Sequence, residues 1–278
     1  MSNNLYNPLL GRVVQLYKGG PEKTVGTLVD VKDDFLIVQT ADGQMIFFTL
    51  EHIKSIIEDS QTGLTLAQTS VTNTSSDTVD LTDVTKFNEL MTNFIGKKVR
   101  INRKGPESKE GTLIAVQGNF FVLFTKKEGL LFYTTYHIKS ISEVAKATEE
   151  GTDENKEGKD ESAEQEENQN LDEITNIYNE IAADKFHQFL TNLQYRWVKV
   201  NRHGPESLEG MLVDSSADFL TMVVKNEVLR LPVSHVKSIS SDVTLNKGDQ
   251  QENSEQQSNN EKGSKSANLS KYQKKMMK

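Results

Sequence analysis

Residues 96–141 read GKKVRINRKGPESKEGTLIAVQGNFFVLFTKKEGLLFYTTYHIKSI. Val99 and Ile101 alternate with Lys98, Arg100 and Asn102, which describes an opening strand with one wet face. Gly105-Pro106-Glu107-Ser108 is a turn, because Pro presets φ and the preceding Gly accepts backbone shapes that other residues resist. Thr112 to Val116 reads as a second strand, Phe120 to Thr125 as a third and Leu130 to Tyr133 as a fourth. Gln117-Gly118-Asn119 and Lys127-Glu128-Gly129 are the turns between them. After an irregular Thr134 to His137, Ile138 to Ile141 forms a fifth strand. Five short antiparallel strands with a break before the last describe a small SH3-like or Sm-like barrel. Closing such a sheet on itself removes exposed edges and gives a short chain a core.

The same pattern occurs at 11–56, GRVVQLYKGGPEKTVGTLVDVKDDFLIVQTADGQMIFFTLEHIKSI, and at 195–239, YRWVKVNRHGPESLEGMLVDSSADFLTMVVKNEVLRLPVSHVKSI. Each copy has Gly-Pro-Glu, a glycine four residues later, and a closing His-Ile/Val-Lys-Ser-Ile. The closing histidines His52, His137 and His235 follow Pro21, Pro106 and Pro205 by 31, 31 and 30 residues. The prolines themselves are 85 and 99 residues apart, so the unit has a fixed internal length and its connections vary. That is one small domain used three times, not a solenoid of constant period. The fold class expected is mainly β: three tandem five-stranded barrels, each preceded by a short helix and joined by disordered linkers.

The helices are read from apolar spacing. Thr82 or Asp83 is placed to cap a helix carrying Phe87, Leu90, Met91 and Phe94. Ile174, Ile177, Tyr178 and Ile181, then Phe186, Phe189, Leu190 and Leu193, supply the same element to the third copy. The first copy has only a shortened version in Leu5, Tyr6, Leu9 and Leu10. Segments 59–80, 144–170 and 241–278 hold too few large apolar residues to offset the entropy of ordering, and are expected to be disordered. The expected boundaries are therefore 5–58 for the first barrel, 82–143 for the second with its helix, and 171–240 for the third.

The chain's formal net charge of −8 is unevenly spread. Residues 94–143 hold nine basic and four acidic side chains, whereas 144–170 hold three and ten. There is no cysteine, so neither disulfides nor a thiolate metal site support these small units. No stretch approaches the ~20 apolar residues of a membrane span. The start, MSNNLYNPLLGRVV, lacks the basic and apolar segments of a signal peptide. No nucleophile elbow, zinc-binding His-Glu-x-x-His or phosphate-binding glycine loop is present, which argues against an enzyme with a cofactor or metal.

The recurring residues are the candidates for function. Gly20, Pro21 and Glu22, Gly105, Pro106 and Glu107, and Gly204, Pro205 and Glu206 form the turn motif. The Gly and Pro answer turn geometry. The glutamates are free to accept from backbone amides or to present an acid to a partner, and Glu107 is expected to be solvated at its turn tip. The closing motif is His52, Lys54 and Ser55, His137, Lys139 and Ser140, and His235, Lys237 and Ser238. Its histidines are expected to satisfy backbone groups and pack their rings, because ligands on flexibly tethered barrels would not converge on a metal. The three lysines are expected on the outer face of the last strand. Asn102-Arg103 and Asn201-Arg202 precede the turn in the second and third copies, where the first has Tyr17-Lys18. Trp197 is expected in the core.

These motifs, in this order and number, resemble the spore coat protein B family of Bacillus. The likeness covers 9–58, 85–143 and 180–240, and is densest at Gly105 to Lys109, Asn201 to Glu206 and the three closing motifs. It implies a structural protein of the outer spore coat, made in the mother cell, without catalytic activity. The implied partners are other coat proteins and further copies of the chain. Family members can carry a Ser/Lys/Arg-rich tail that a coat-associated kinase phosphorylates. Residues 241–278 depart from that, being Gln/Asn-rich with scattered serines such as Ser264, Ser266 and Ser270. The helix, five strands and His-led final strand are also similar to the bacterial Sm-like RNA chaperone, so an RNA-binding Sm-like protein is the alternative. The second copy's lysines and arginines suit phosphate contacts. The acidic linkers and the lack of a presented stacking aromatic weigh against nucleic acid.

Overall fold

In the computed structural model, residues 5–58, 81, 83–144, 174–179, 181–202 and 205–241 are described. The expected linkers 59–80 and 144–170 and the tail 241–278 lie outside them, apart from Val144 and Ser241. All described residues belong to one compact unit, Met1–Leu245.

The first repeat contains a 3-10 turn at Asn7–Leu9, then β1 (Val13–Leu16), β2 (Thr24–Val31), β3 (Phe35–Gln39), β4 (Met45–Thr49) and β5 (Ile56–Glu58). The second contains α1 (Phe87–Thr92), β6 (Lys98–Ile101), β7 (Lys109–Val116), β8 (Phe120–Thr125), β9 (Gly129–Thr134) and β10 (Ser140–Glu143). The third contains α2 (174–179), α3 (Phe186–Asn192), β11 (Trp197–Val200), β12 (Leu208–Ser215), β13 (Phe219–Val224), β14 (Glu227–Pro232) and β15 (Ser238–Ser241). A 3-10 turn ending on the closing histidine precedes each fifth strand, at Leu50–His52, Thr135–His137 and Val233–His235.

The strands pair into one antiparallel sheet of fifteen, ordered β14-β13-β12-β11-β15-β9-β8-β7-β6-β10-β4-β3-β2-β1-β5. Within each repeat the order is fourth, third, second, first, fifth. The sheet does not close on itself within a repeat, contrary to the expectation. The fourth strand of one repeat pairs instead with the fifth strand of the next. The physical reason is edge satisfaction: the fourth and fifth strands at the two junctions find their missing partners in a neighbouring repeat rather than in each other.

The second strand bends where its pairing slips by one residue, between Leu28 and Asp30, Leu113 and Ala115, and Leu212 and Asp214. The glycine four residues after the turn glutamate lies just ahead of this bulge. A Cβ at Gly26, Gly111 or Gly210 would stand 2.4, 2.3 and 2.3 Å from the facing backbone oxygen of Gln39, Phe124 and Val223. Only glycine permits that approach.

The cores do not respect the repeat boundaries. Phe35, Ile37 and Phe47 of the first repeat pack with Phe87, Leu90, Phe94, Val99 and Phe121 of the second. Phe120, Val122 and Phe132 of the second pack with Phe186, Phe189, Leu190 and Leu212 of the third. Each helix therefore plugs a junction. The α1 helix begins later than expected: Lys86 rather than Asp83 is its N-cap, and Thr82 lies outside the described residues. Its first amide, Phe87 N, donates to Asp34 Oδ1 of the first repeat at 2.7 Å, and Glu89 reaches back to accept from Lys86 N at 3.1 Å. Likewise Phe186 N donates to Asn119 Oδ1 of the second repeat at 3.0 Å. The repeat upstream supplies the helix cap.

Trp197 is not in the core. It is half-exposed and its indole N–H donates to Glu209 at 3.0 Å. The strand alternation puts Val198 and Val200 inward and leaves Trp197 on the face of Lys199.

Candidate interface between the repeats

The recurring residues gather at the two junctions between repeats. At the first, β4 pairs with β10 through Phe48↔Ser140 and Phe47↔Ile141. At the second, β9 pairs with β15 through Tyr133↔Ser238, Phe132↔Ile239 and Leu131↔Ser240. The contacts that surround these ladders are the same at both.

A threonine ends each fourth strand. Thr49 N donates to Lys139 O and Thr134 N to Lys237 O, both at 3.1 Å. Their hydroxyls donate to the carbonyl one residue earlier, Thr49 Oγ1 to Ile138 O at 2.7 Å and Thr134 Oγ1 to Val236 O at 2.9 Å. Three residues on, the closing histidine reaches the same neighbour. His52 Nε2 bonds Tyr136 O, and His137 Nε2 bonds Ser234 O at 2.8 Å. The His52 and Tyr136 rings meet edge to face at 5.9 Å. His235, by contrast, is exposed.

The turn glutamates behave in three ways. Glu22 is buried, and its Oε2 accepts from Arg103 N at 3.2 Å and Ser140 Oγ at 3.0 Å, both in the second repeat. Glu107 Oε2 accepts from Ser238 Oγ of the third repeat at 3.2 Å. It is part-buried rather than the solvated group expected from its turn position. Glu206 is exposed and pairs with Lys237 Nζ at 2.6 Å within its own repeat, which holds its carboxyl below the ordinary range. Pro21 lies 3.5 Å from where a Gly105 side chain would begin, so consecutive turn motifs touch. Gly20 and Gly105 both have positive φ, +87° and +100°. Gly204 is outside the described residues. Among the closing lysines Lys54 is exposed, whereas Lys139 and Lys237 are partly covered.

Asn102-Arg103 and Asn201-Arg202, which the first repeat lacks, make two kinds of contact. The asparagine braces its own fifth strand: Asn102 Oδ1 accepts from Lys139 N at 2.9 Å, and Asn201 Oδ1 from Lys237 N at 2.8 Å. The arginine faces upstream. Arg202, almost fully buried, makes a two-pronged pair with Glu128 on the β8–β9 hairpin, which Lys109 also reaches at 2.9 Å. Burial alone would raise the Glu128 carboxyl, but the bonds from Arg202 and Lys109 outweigh it and hold it below its ordinary value. In the first repeat Tyr17 takes the asparagine's place and donates to His52 O at 3.0 Å.

A recess at the second junction is lined by Asn119, Thr134, His137, Phe186, Val233 and Ser234. Its His nitrogen is committed to a backbone carbonyl. Among the described residues no three His, Asp or Glu side chains are grouped to hold a metal ion. No helix among them is long and apolar enough to cross a membrane.

This geometry carries a pH dependence. Burial pushes His137 below its ordinary value of 6.5, aided by Lys237, His52 and His235 nearby and opposed by its bond to Ser234. A histidine depressed in the folded state contributes stability that is present above about 6.5 and is lost as pH falls through the folded value. Melting temperature should therefore drop on acidification from about pH 7.5 to 5, and His137→Gln, which still donates to a carbonyl, should remove part of that drop. An unchanged pH slope in the variant would assign the dependence elsewhere.

A comparison of sequences finds a relative of this chain. The chain is 32% identical over 237 residues to spore coat protein B of Bacillus subtilis (strain 168), an alignment covering 85% of this chain. The chain is a spore coat protein B relative. It spans 54% of the length of that protein. No family model matches the sequence.

Proposed function

We propose that this spore coat protein B relative is a non-catalytic structural component of the outer spore coat, made in the mother cell. Its three repeats, 5–58, 82–143 and 171–240, act as Sm-like barrel modules that complete one another's edges. The observation that carries the reading is the use made of the recurring polar residues. Thr49, Thr134, His52, His137, Glu22 and Glu107 all spend their hydrogen bonds on an adjacent repeat. Thr134 and His137 line the recess at the second junction, but the Thr134 hydroxyl and the His137 Nε2 are committed to Val236 O and Ser234 O. Residues committed this way build a stiff scaffold, and the acidic 144–170 segment and the lysines near 271–278 supply charged attachment to other coat proteins.

The test is deposition on the developing spore, followed with a fluorescent fusion. Removing 241–278 should weaken deposition without abolishing it, whereas removing 82–240 should abolish it. A tail fusion that localises as well as the full chain, with the tail-less chain diffuse, would overturn the scaffold reading. The RNA-binding alternative is checked by an electrophoretic shift with single-stranded RNA at moderate salt, where no shift is expected.

A further inference from the structure

The two ends of the fifteen-stranded sheet are the fourth strand of the third repeat, β14, and the fifth strand of the first, β5. These are the same two types of edge that meet at both internal junctions. A second copy of the chain would therefore meet the first as one more junction of the same kind, and nothing in the strand order would stop the series.

The residues at the two ends do not match the junctions. Pairing with the third strand aligns the fourth strands: Phe35↔Thr49, Phe120↔Thr134 and Phe219↔Pro232. Pro232 thus replaces the threonine whose N–H and hydroxyl both cross each junction. It has no N–H and no hydroxyl, so both bonds are lost at once. Two residues earlier, Arg230 replaces Phe47 and Phe132. Those phenylalanines are 3% and 0% exposed and belong to the shared cores, whereas Arg230 is exposed. A charge pointing from an edge strand and a proline within it are the two common devices by which sheets refuse a further strand. At the other end, Tyr17-Lys18 stands where both internal acceptors have Asn-Arg. That end lacks the arginine that, at the second junction, pairs with the upstream hairpin acid Glu128.

We infer that these four positions, Tyr17, Lys18, Arg230 and Pro232, terminate the array, so that the chain docks its own repeats but refuses head-to-tail addition of a second copy of itself. The inference rests on reading the repeats as docking modules and specifies what that docking requires. The donor strand needs a core-filling aromatic and, two residues later, a threonine. The acceptor repeat needs Asn-Arg ahead of its turn. With both sets absent from the ends, coat assembly proceeds through other surfaces of the molecule, and the count of barrels per array stays at three.

The test restores the junction chemistry at both ends of the full chain. Y17N/K18R/R230F/P232T should associate head to tail, with at least a doubled mass by light scattering at a concentration where the wild-type chain is monomeric. The chain has no cysteine, which allows a positional check. Ser140↔Phe48 and Ser238↔Tyr133 are direct partners across the junctions, so Ser55 and Leu231 are their counterparts at the ends. Adding Ser55→Cys and Leu231→Cys to the fourfold variant should give disulfide-linked chains on mild oxidation. The same cysteine pair in the otherwise native chain should not. A monomeric fourfold variant with unchanged circular dichroism overturns the inference. So does equal crosslinking in the native background, which would mean that the ends already meet. If the cysteine substitutions unfold the chain, the mass of the cysteine-free fourfold variant decides alone. Both outcomes are independent of deposition on spores, so the structural-coat reading stands or falls separately.

Discussion

Phe189→Ala should cost about 3–5 kcal/mol, the usual range for deleting a large aromatic from a closed core. Phe189 is fully buried, and its ring stacks on Phe132 at 3.9 Å and on Phe120 at 5.6 Å. Both partners belong to the second repeat, whereas Phe189 lies on α3 of the third. The truncation therefore empties a space that two repeats share. Beyond the loss of stability, the third repeat should unfold ahead of the rest. Trp197 is the chain's single tryptophan and lies in that repeat, so its fluorescence reports the third repeat while circular dichroism reports all three. In urea the two probes should coincide for the native chain and separate for Phe189→Ala. A loss below about 1 kcal/mol, the size of a typical surface change or less, would mean that the helix does not plug this junction. Phe219→Ala, half-exposed on β13, is the control in the same repeat and should change little.

The distinction between what each repeat encodes and what the repeats encode together runs through the whole chain. Strand number, turn positions and the break before the fifth strand follow from local alternation and from Gly-Pro-Glu, and each can be read within fifty residues. The continuous sheet cannot, because the edge that closes β4 lies on β10, with Phe48 and Ser140 distant in sequence. The expectation of barrels closed on themselves failed for that reason. Variable linkers say how far apart repeats can lie and nothing about whether they dock. Glu22 is the sharpest case. A carboxylate at a turn tip reads as solvated, and its burial comes from Arg103 and Ser140 of another repeat. Yet two signals of docking were present in the sequence. One was the Asn-Arg pair, found only in the copies that have a repeat upstream. The other was the proline at 232, where the other copies have threonine. Differences between copies carried the junction chemistry, while the common motif carried the fold. Trp197 was a simpler miss: its alternation with Val198 and Val200 already placed it on the wet face.

Gly111→Ala should be the most damaging single methyl group in the second repeat. A Cβ there would lie 2.3 Å from Phe124 O and 2.8 Å from Leu123 Cγ, far inside contact distance. The nearest obstacle is backbone in the middle of the β7–β8 ladder, which a side-chain rotation does not clear. Accommodating the methyl means prying β7 from β8 where Thr112 pairs with Phe124 and Leu113 with Leu123. Overpacking of this kind typically costs 1–3 kcal/mol, and backbone obstruction puts the expected loss at about 2–3 kcal/mol or above. The opposing gain from a less flexible unfolded chain is only about 0.4–1 kcal/mol, so the clash wins. Gly105 makes the contrast. It holds a positive φ of +100° with Pro21 no nearer than 3.5 Å, so its constraint is conformational rather than spatial. Gly105→Val should cost about 1 kcal/mol, less than the smaller alanine at 111. If the two rank the other way in chemical denaturation, the glycine after the turn is conformational and the close approach of β7 to β8 is not what the repeated residue secures. If they rank as expected, the same reasoning extends to Gly26 and Gly210, whose added Cβ atoms would meet the facing backbone at 2.4 and 2.3 Å. The glycine's role would then belong to each repeat alone, whereas Glu22 and Glu107, four residues before it in the first two copies, face the neighbouring repeat.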